Sequence, residues 1–302
     1  MPTICEKREI DTPFTVVTRR QRSIGSSVSV VGTALFSGEK VTLSFIPAKP
    51  NTGIRFRRVD LAGKPEVFAS IDNLKGTPRT TIIESNGVVI QCVEHVLSAI
   101  FAHKIDNIVI ELDKSEPPII DGSAKDFFDI LTKAEIISEE EEISKFYLNR
   151  PVYLCEGNAQ IIALPSKTLK CSYLLAYEGH PLLGECFYEF DEGKDDYRKE
   201  VASCRTFATL EEAEALVGAG VIKGICHEYG VVIDGDRVLN PEGLRFSNEM
   251  ARHKVLDFLG DISLAGREVV AHYISIRGGH ALNTRLCKKL HTMIKEQIDV
   301  SN

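Results

Sequence analysis

Apolar residues recur with helical spacing at two places along this chain. In VEHVLSAIF (93–101), Val93, Val96, Leu97, Ile100 and Phe101 fall at i, i+3, i+4, i+7 and i+8, which predicts an amphipathic helix with Glu94 and His95 in its first turn. In HKVLDFLGDI (253–262), Val255, Phe258, Leu259 and Ile262 predict a core-facing stripe, and His253, Asp257 and Asp261 form a polar row four residues apart. A β-branched run over 269–276, then Gly278-Gly279, predicts a strand, a tight turn and a helix opening at His280. His280 is expected to stand exposed at that junction.

Each half of the chain places strands before helices, an α+β pattern with helices on one side of a mostly antiparallel sheet. The halves also echo each other. His95-Val96-Leu97 and, later, Asp121-Gly122-Ser123-Ala124 open helices in the first half; His253 precedes Val255-Leu256 and Gly279-His280-Ala281 opens the last helix in the second. Between the halves lies EIISEEEEIS (135–144), acidic and free of turn residues. It is expected to be a linker over 135–145 separating a first domain (19–134) from a second (146–302). Residues 1–18 mix charges with Thr and Pro and are taken as an extension of unassigned order and function.

At 302 residues the chain suits two domains of ordinary size, and 43% hydrophobic with 26% charged residues is the composition of a globular protein. The eight cysteines are scattered, with no close pair of metal-finger type, and the N-terminus does not resemble a secretory signal. Free thiols in a reducing cytoplasm are therefore expected. No apolar run approaches the ~20 residues that span a bilayer, so any contact with the inner membrane face would be peripheral. A formal charge of −7 without a basic tract argues against nucleic acid as a partner. An anionic small-molecule substrate would be held by a few local cations.

Two histidines and an aspartate leave a tetrahedral zinc ion one open position, the mark of a catalytic rather than a structural site. A glutamate beside a ligand histidine can accept a proton from water, and a further histidine can protonate a leaving group. Glu94, His95, His253, Asp257 and His280 supply such a set from three separate segments. Spacing alone does not bring them together.

These segments belong to a longer series of blocks: VVGTALFSGEKVTL (30–43), NTGIRFRRVDL (51–61), VEHVLSAI (93–100), IDNIVIELDKSEPPIIDGSAKDF (105–127), CRTF (204–207), VLNPEGLRF (238–246), HKVLDFLGDISLAG (253–266) and GGHALN (278–283). In these blocks and their order the chain resembles the UDP-3-O-acyl-N-acetylglucosamine deacetylase family, zinc amidases of lipid A biosynthesis. That family has two related domains whose helices pack together between outer sheets, with the active site at their junction. The resemblance implies His95, His253 and Asp257 as zinc ligands, with ferrous iron also admitted by such donors. It further implies Glu94 as general base, a charged His280 with Asp261 as its orienting partner, and Thr206 as hydroxyl donor to the oxyanion. Lys254 is implied near the diphosphate of an acylated UDP-amino sugar, and Phe207 as a substrate contact.

Residues 215–232 correspond to the family's insert that forms a channel for the 3-O-acyl chain. Here Ile225-Cys226-His227-Glu228-Tyr229-Gly230 departs from an expected form nearer GGSLENAIV, and Gln91-Cys92 stands where the family has Ser-Thr. Cys92 is expected to be a small buried hydrophobe. The segment 77–81 matches loosely, and no role is carried onto it. Two other classes use similar parts: a different metal-dependent amidohydrolase and a non-catalytic nucleotide-sugar binding protein. The HExxH peptidase helix is absent, and a binding protein has no need of both Glu94 and His280.

Overall fold

The computed structural model describes residues 12–222 and 227–301. Two five-stranded sheets share one topology. In the first half the order is Val28–Thr33, Lys40–Pro47, Ile108–Leu112, Ile54–Arg58 and Glu66–Phe68. In the second it is Val152–Glu156, Ala159–Leu164, His272–Ile276, Lys170–Leu175 and Cys186–Asp191. Each sheet starts with a hairpin, places its last strand in the middle, and has one parallel pair, between that central strand and the third. The faint sequence echo is thus a repeated fold, in the α+β class expected.

Helices α1 (Glu94–Ala102), α2 (Lys125–Lys133), the short α3 (Tyr197–Glu200), α5 (Glu249–Ser263) and α6 (His280–Ser301) fill the space between the sheets, and α4 (Leu210–Gly218) packs on a separate small sheet that includes Phe207–Thr209 and Val231–Asp234. The α1–α5 contact is the most extensive between helices. Both helices are buried nearly all round, α1 through Val96, Leu97 and Ile100 and α5 through Val255, Leu256, Phe258 and Leu259. The polar row His253, Asp257 and Asp261 is therefore an inner face of the protein rather than a solvated one. None of the described helices is long and apolar enough to cross a membrane.

The acidic segment is not a free linker. Ile136–Leu148 is a strand, antiparallel to Phe14–Ile24 and, at Lys145–Tyr147, parallel to Glu268–Val270. One of its acids lies directly opposite a base, Glu142 against Arg20, while Arg19 lies opposite Ile143 and Arg22 opposite Ser138. That one opposite-charge pair is favourable, but it is the backbone ladder along most of the segment that makes it a paired strand rather than an unpaired tether. Residues 14–18 likewise belong to this sheet rather than to an extension, and residues 1–11 lie outside the described set. The run 269–276 is two strands, Glu268–Val270 and His272–Ile276, in different sheets. Glu268 is buried at the seam and carries Arg19 (3.3 Å), Lys104 (3.0 Å) and Lys145 (3.0 Å). Their charges hold its carboxyl down at about 2 despite burial.

Candidate metal centre and active site

His253 and Asp257 sit one turn apart on α5, and α1 brings His95 against them. The Nε2 atoms of His253 and His95 lie 3.2 and 3.5 Å from Asp257 Oδ1. The imidazole rings meet edge to face, with centroids 5.1 Å apart. One ligand atom from each of the three residues falls within 4.8 Å of the others, so together they could hold a metal ion.

The protonation of His253 sharpens this. Its Nδ1 is 3.0 Å from the Cys204 carbonyl, which can only accept, so Nδ1 carries the hydrogen and a neutral ring presents its Nε2 lone pair to Asp257. Burial lowers the His253 pKa against the pull of Asp257, favouring that neutral ring. Asp257 Oδ1 is buried and meets no hydrogen-bond donor among the described residues. Lone pairs facing one another across 3.2 Å repel unless a cation or proton sits between them. The donor set therefore fits a divalent metal. The second Asp257 oxygen accepts from Lys254 Nζ at 2.8 Å. Burial opposes ionisation of Asp257, but the charges of Lys254 and His280 hold its pKa well below the carboxylate range.

What lets α1 reach α5 is Gly260. A Cβ there would lie 2.1 Å from the Glu94 carbonyl oxygen, far inside any real contact. Glu94 is 5% exposed, and both its oxygens are held: Thr80 Oγ1 donates to Oε1 (2.7 Å) and the Thr81 amide to Oε2 (3.0 Å). The Thr81 hydroxyl donates to Asp261 Oδ1, and Asp261 Oδ2 accepts from Asn283 and pairs with His280 Nδ1 at 2.8 Å.

His280 opens α6 as expected, but it is 9% exposed rather than standing in solvent. Burial disfavours its charged form. The charges of Asp261 and Asp257, with the hydrogen bond to Asp261, outweigh that and raise the pKa to about 9. Tyr173 steadies the turn before it by donating to the Gly278 carbonyl at 2.6 Å.

Glu94, His95, His253, Asp257 and His280 line one cavity of about 560 Å³ with Thr206, Phe207 and Lys254. Asp261 stands behind His280 and does not line it. Thr206 is clamped between Gly122 and Gly230: its methyl lies 2.9 and 3.0 Å from where their Cβ atoms would be, and its amide donates to the Gly122 carbonyl. Gly122, at φ +83°, needs to be glycine on both counts. The buried Arg205, bonded to Glu249 through its backbone amide and side chain, anchors the turn that carries Cys204 and Thr206 onto the start of α5. Lys254 Nζ lies 5.5 Å from the Phe207 ring centroid.

Apolar walls extend the cavity through Leu175, Tyr177, Ala213, Leu216 and Val232. Of the divergent stretch, Ile225 and Cys226 lie outside the described residues. His227 and Glu228 are exposed and do not line the cavity, whereas Tyr229 and Gly230 do. Cys92 is half-buried in the cavity wall beside Thr80, and burial together with the Glu94 charge pushes its thiol pKa well up. The residues missed from sequence are Thr80, Thr81, Tyr173 and the Arg205–Glu249 pair. Of these only Arg205 lies in a matching block (204–207), and nothing local signalled Glu249 or the others.

A family model described as UDP-3-O-acyl N-acetylglycosamine deacetylase (LpxC) matches residues 21–292. Relatives named UDP-3-O-acyl-N-acetylglucosamine deacetylase include one from Chlamydia caviae, 37% identical over 272 residues and covering 90% of this chain and 97% of the relative. One from Myxococcus xanthus is 36% identical over 270 residues, covering 89% and 86%. Another, from Campylobacter fetus, is 38% identical over 267 residues, covering 88% and 90%. With a family model spanning most of its length and relatives matched nearly end to end, the chain belongs to the UDP-3-O-acyl-N-acetylglucosamine deacetylase family.

Proposed function

We propose that this protein hydrolyses the N-acetyl group of UDP-3-O-acyl-N-acetylglucosamine, giving UDP-3-O-acyl-glucosamine and acetate, in lipid A biosynthesis. His95, His253 and Asp257 hold the metal, zinc in the first instance, with ferrous iron admitted by the same donors. The single observation that carries this is the orphaned Asp257 Oδ1 facing two imidazole nitrogens beside the Glu94 carboxylate. A divalent cation there would polarise the amide carbonyl and acidify water.

The chain's own groups do the rest. Glu94 takes the proton of the attacking water as its oxygen adds to the acetamide carbon. Thr206 donates a hydrogen bond to the oxygen on which negative charge develops. His280, charged at neutral pH and held by Asp261, gives a proton to the nitrogen as the C–N bond breaks, so the amine leaves neutral and acetate remains. Lys254 and Phe207 bind the substrate beside the reacting centre, Lys254 towards the diphosphate. The apolar wall to which Ala213, Leu216, Ile222 and Val232 contribute receives the 3-O-acyl chain.

Replacing the base tests the reading. Glu94→Ala is expected to lower kcat by about 10²- to 10⁴-fold with metal still bound. Full activity in that variant would remove Glu94 from the mechanism.

A further inference from the structure

The geometry points to Thr80 as a positioning residue for Glu94, one that sets the plane and direction of the carboxylate through its hydroxyl. This rests on the reading of Glu94 as the base. A glutamate has three side-chain torsions, so a place on a rigid helix fixes its Cα but not its oxygens. Here two donors on one segment fix both oxygens: Thr80 Oγ1 at 2.7 Å and the Thr81 amide at 3.0 Å. Two of the carboxylate's roughly four acceptor positions are thereby used, and the others stay available to water in the cavity.

The segment is itself anchored. Thr81 bonds to Asp261 through its hydroxyl, and its carbonyl accepts from the Val93 amide at 3.4 Å, next to Glu94. Arg79, just before the pair, has φ +66°, a conformation that a non-glycine residue adopts at some strain and that turns the two threonines inward. Thr80 and Thr81 are 3% and 0% exposed, so neither hydroxyl is spent on solvent. The Thr81 donor is backbone and survives substitution. The Thr80 donor is a side chain, which makes its contribution separable.

Thr80→Val keeps the shape and removes the donor. We expect kcat to fall about 10- to 100-fold, since small misplacement of a reacting group has effects of that size. KM and metal content should be unchanged, and Thr80→Ser should restore kcat to within about threefold, its hydroxyl being equivalent. In a Glu94→Ala background Thr80→Val should change kcat no further, because the two act as a unit. A readout independent of turnover is the Tm of the metal-free protein, which Thr80→Val should lower more in the wild type than in Glu94→Ala.

Wild-type kcat in Thr80→Val, failure of serine to rescue, or an undiminished effect in the Glu94→Ala background would each overturn the inference. If Glu94→Ala itself kept full activity, the base assignment would fall and the inference with it. Loss of activity in Glu94→Ala but not in Thr80→Val would overturn the inference alone.

Discussion

Gly260→Ala perturbs the helix contact on which the whole centre depends. The added methyl would meet the Glu94 carbonyl oxygen at 2.1 Å, its carbonyl carbon at 2.8 Å and its Cα at 3.0 Å. All three are backbone atoms of the first turn of α1, so no side chain can swing away. Relieving the oxygen contact to the 3.0 Å floor of real Cβ contacts requires α1 and α5 to part by about 1 Å locally. Overpacking of this kind costs about 1–3 kcal/mol. A domain stable by about 5–15 kcal/mol stays folded under that penalty.

Geometry, rather than unfolding, must then account for lost activity. Glu94 and His95 ride on the displaced turn while His253 and Asp257 stay on α5, and a 1 Å error in such a constellation is worth about 10²-fold in rate. The assay is acetate release, with metal affinity measured by competition with a chelator and unfolding followed by circular dichroism. The variant should be folded, weaker in metal binding and about 100-fold slower. A Gly260→Ala protein with wild-type kcat and metal affinity would refute the claim that this close approach sets the site.

Two further expectations concern pH. The imidazolium of His280 is held to about 9, so activity should persist through neutrality and decline as pH rises through about 9; Asp261→Asn should move that basic limb to lower pH. A limb unmoved by Asp261→Asn would belong to another group. Glu268 has its pKa lowered from 4.5 to about 2, so its stabilising contribution is complete above about 4.5 and is lost as pH falls towards 2. At about 1.4 kcal/mol per pH unit that is worth about 3 kcal/mol. Glu268→Gln should therefore be less stable than wild type at pH 7, with the gap closing in acid; a constant gap across pH would contradict this.

The two central helices were legible because their apolar stripes are long and periodic, and the α+β order of each half was legible for the same reason. What the pattern does not carry is partnership. The acidic strand at 136–148 reads as a tether until its basic partner, Phe14–Ile24, is laid beside it. The run at 269–276 reads as one strand, because the switch from one sheet to another at Ala271 leaves the apolar pattern unbroken. His253, Asp257 and Asp261 share a helix face that could equally have been solvated; the approach of α1 at Gly260, with α6 and the Thr80–Thr81 segment, makes it an interior. Thr80 and Thr81 reach Glu94 from 14 and 13 residues upstream through a left-handed turn at Arg79, which no local pattern announces. The shared topology of the two sheets, by contrast, turns a weak echo of motifs into a structural repeat.

The most direct test of the account is metal dependence on the proposed substrate. Acetate release from UDP-3-O-acyl-N-acetylglucosamine should be measured with purified protein, then after chelation to zero bound metal, then after one equivalent of zinc is restored. The account predicts activity that vanishes on chelation and returns with zinc. Undiminished turnover by protein verified to be metal-free would contradict the central claim that His95, His253 and Asp257 hold the ion on which the reaction depends.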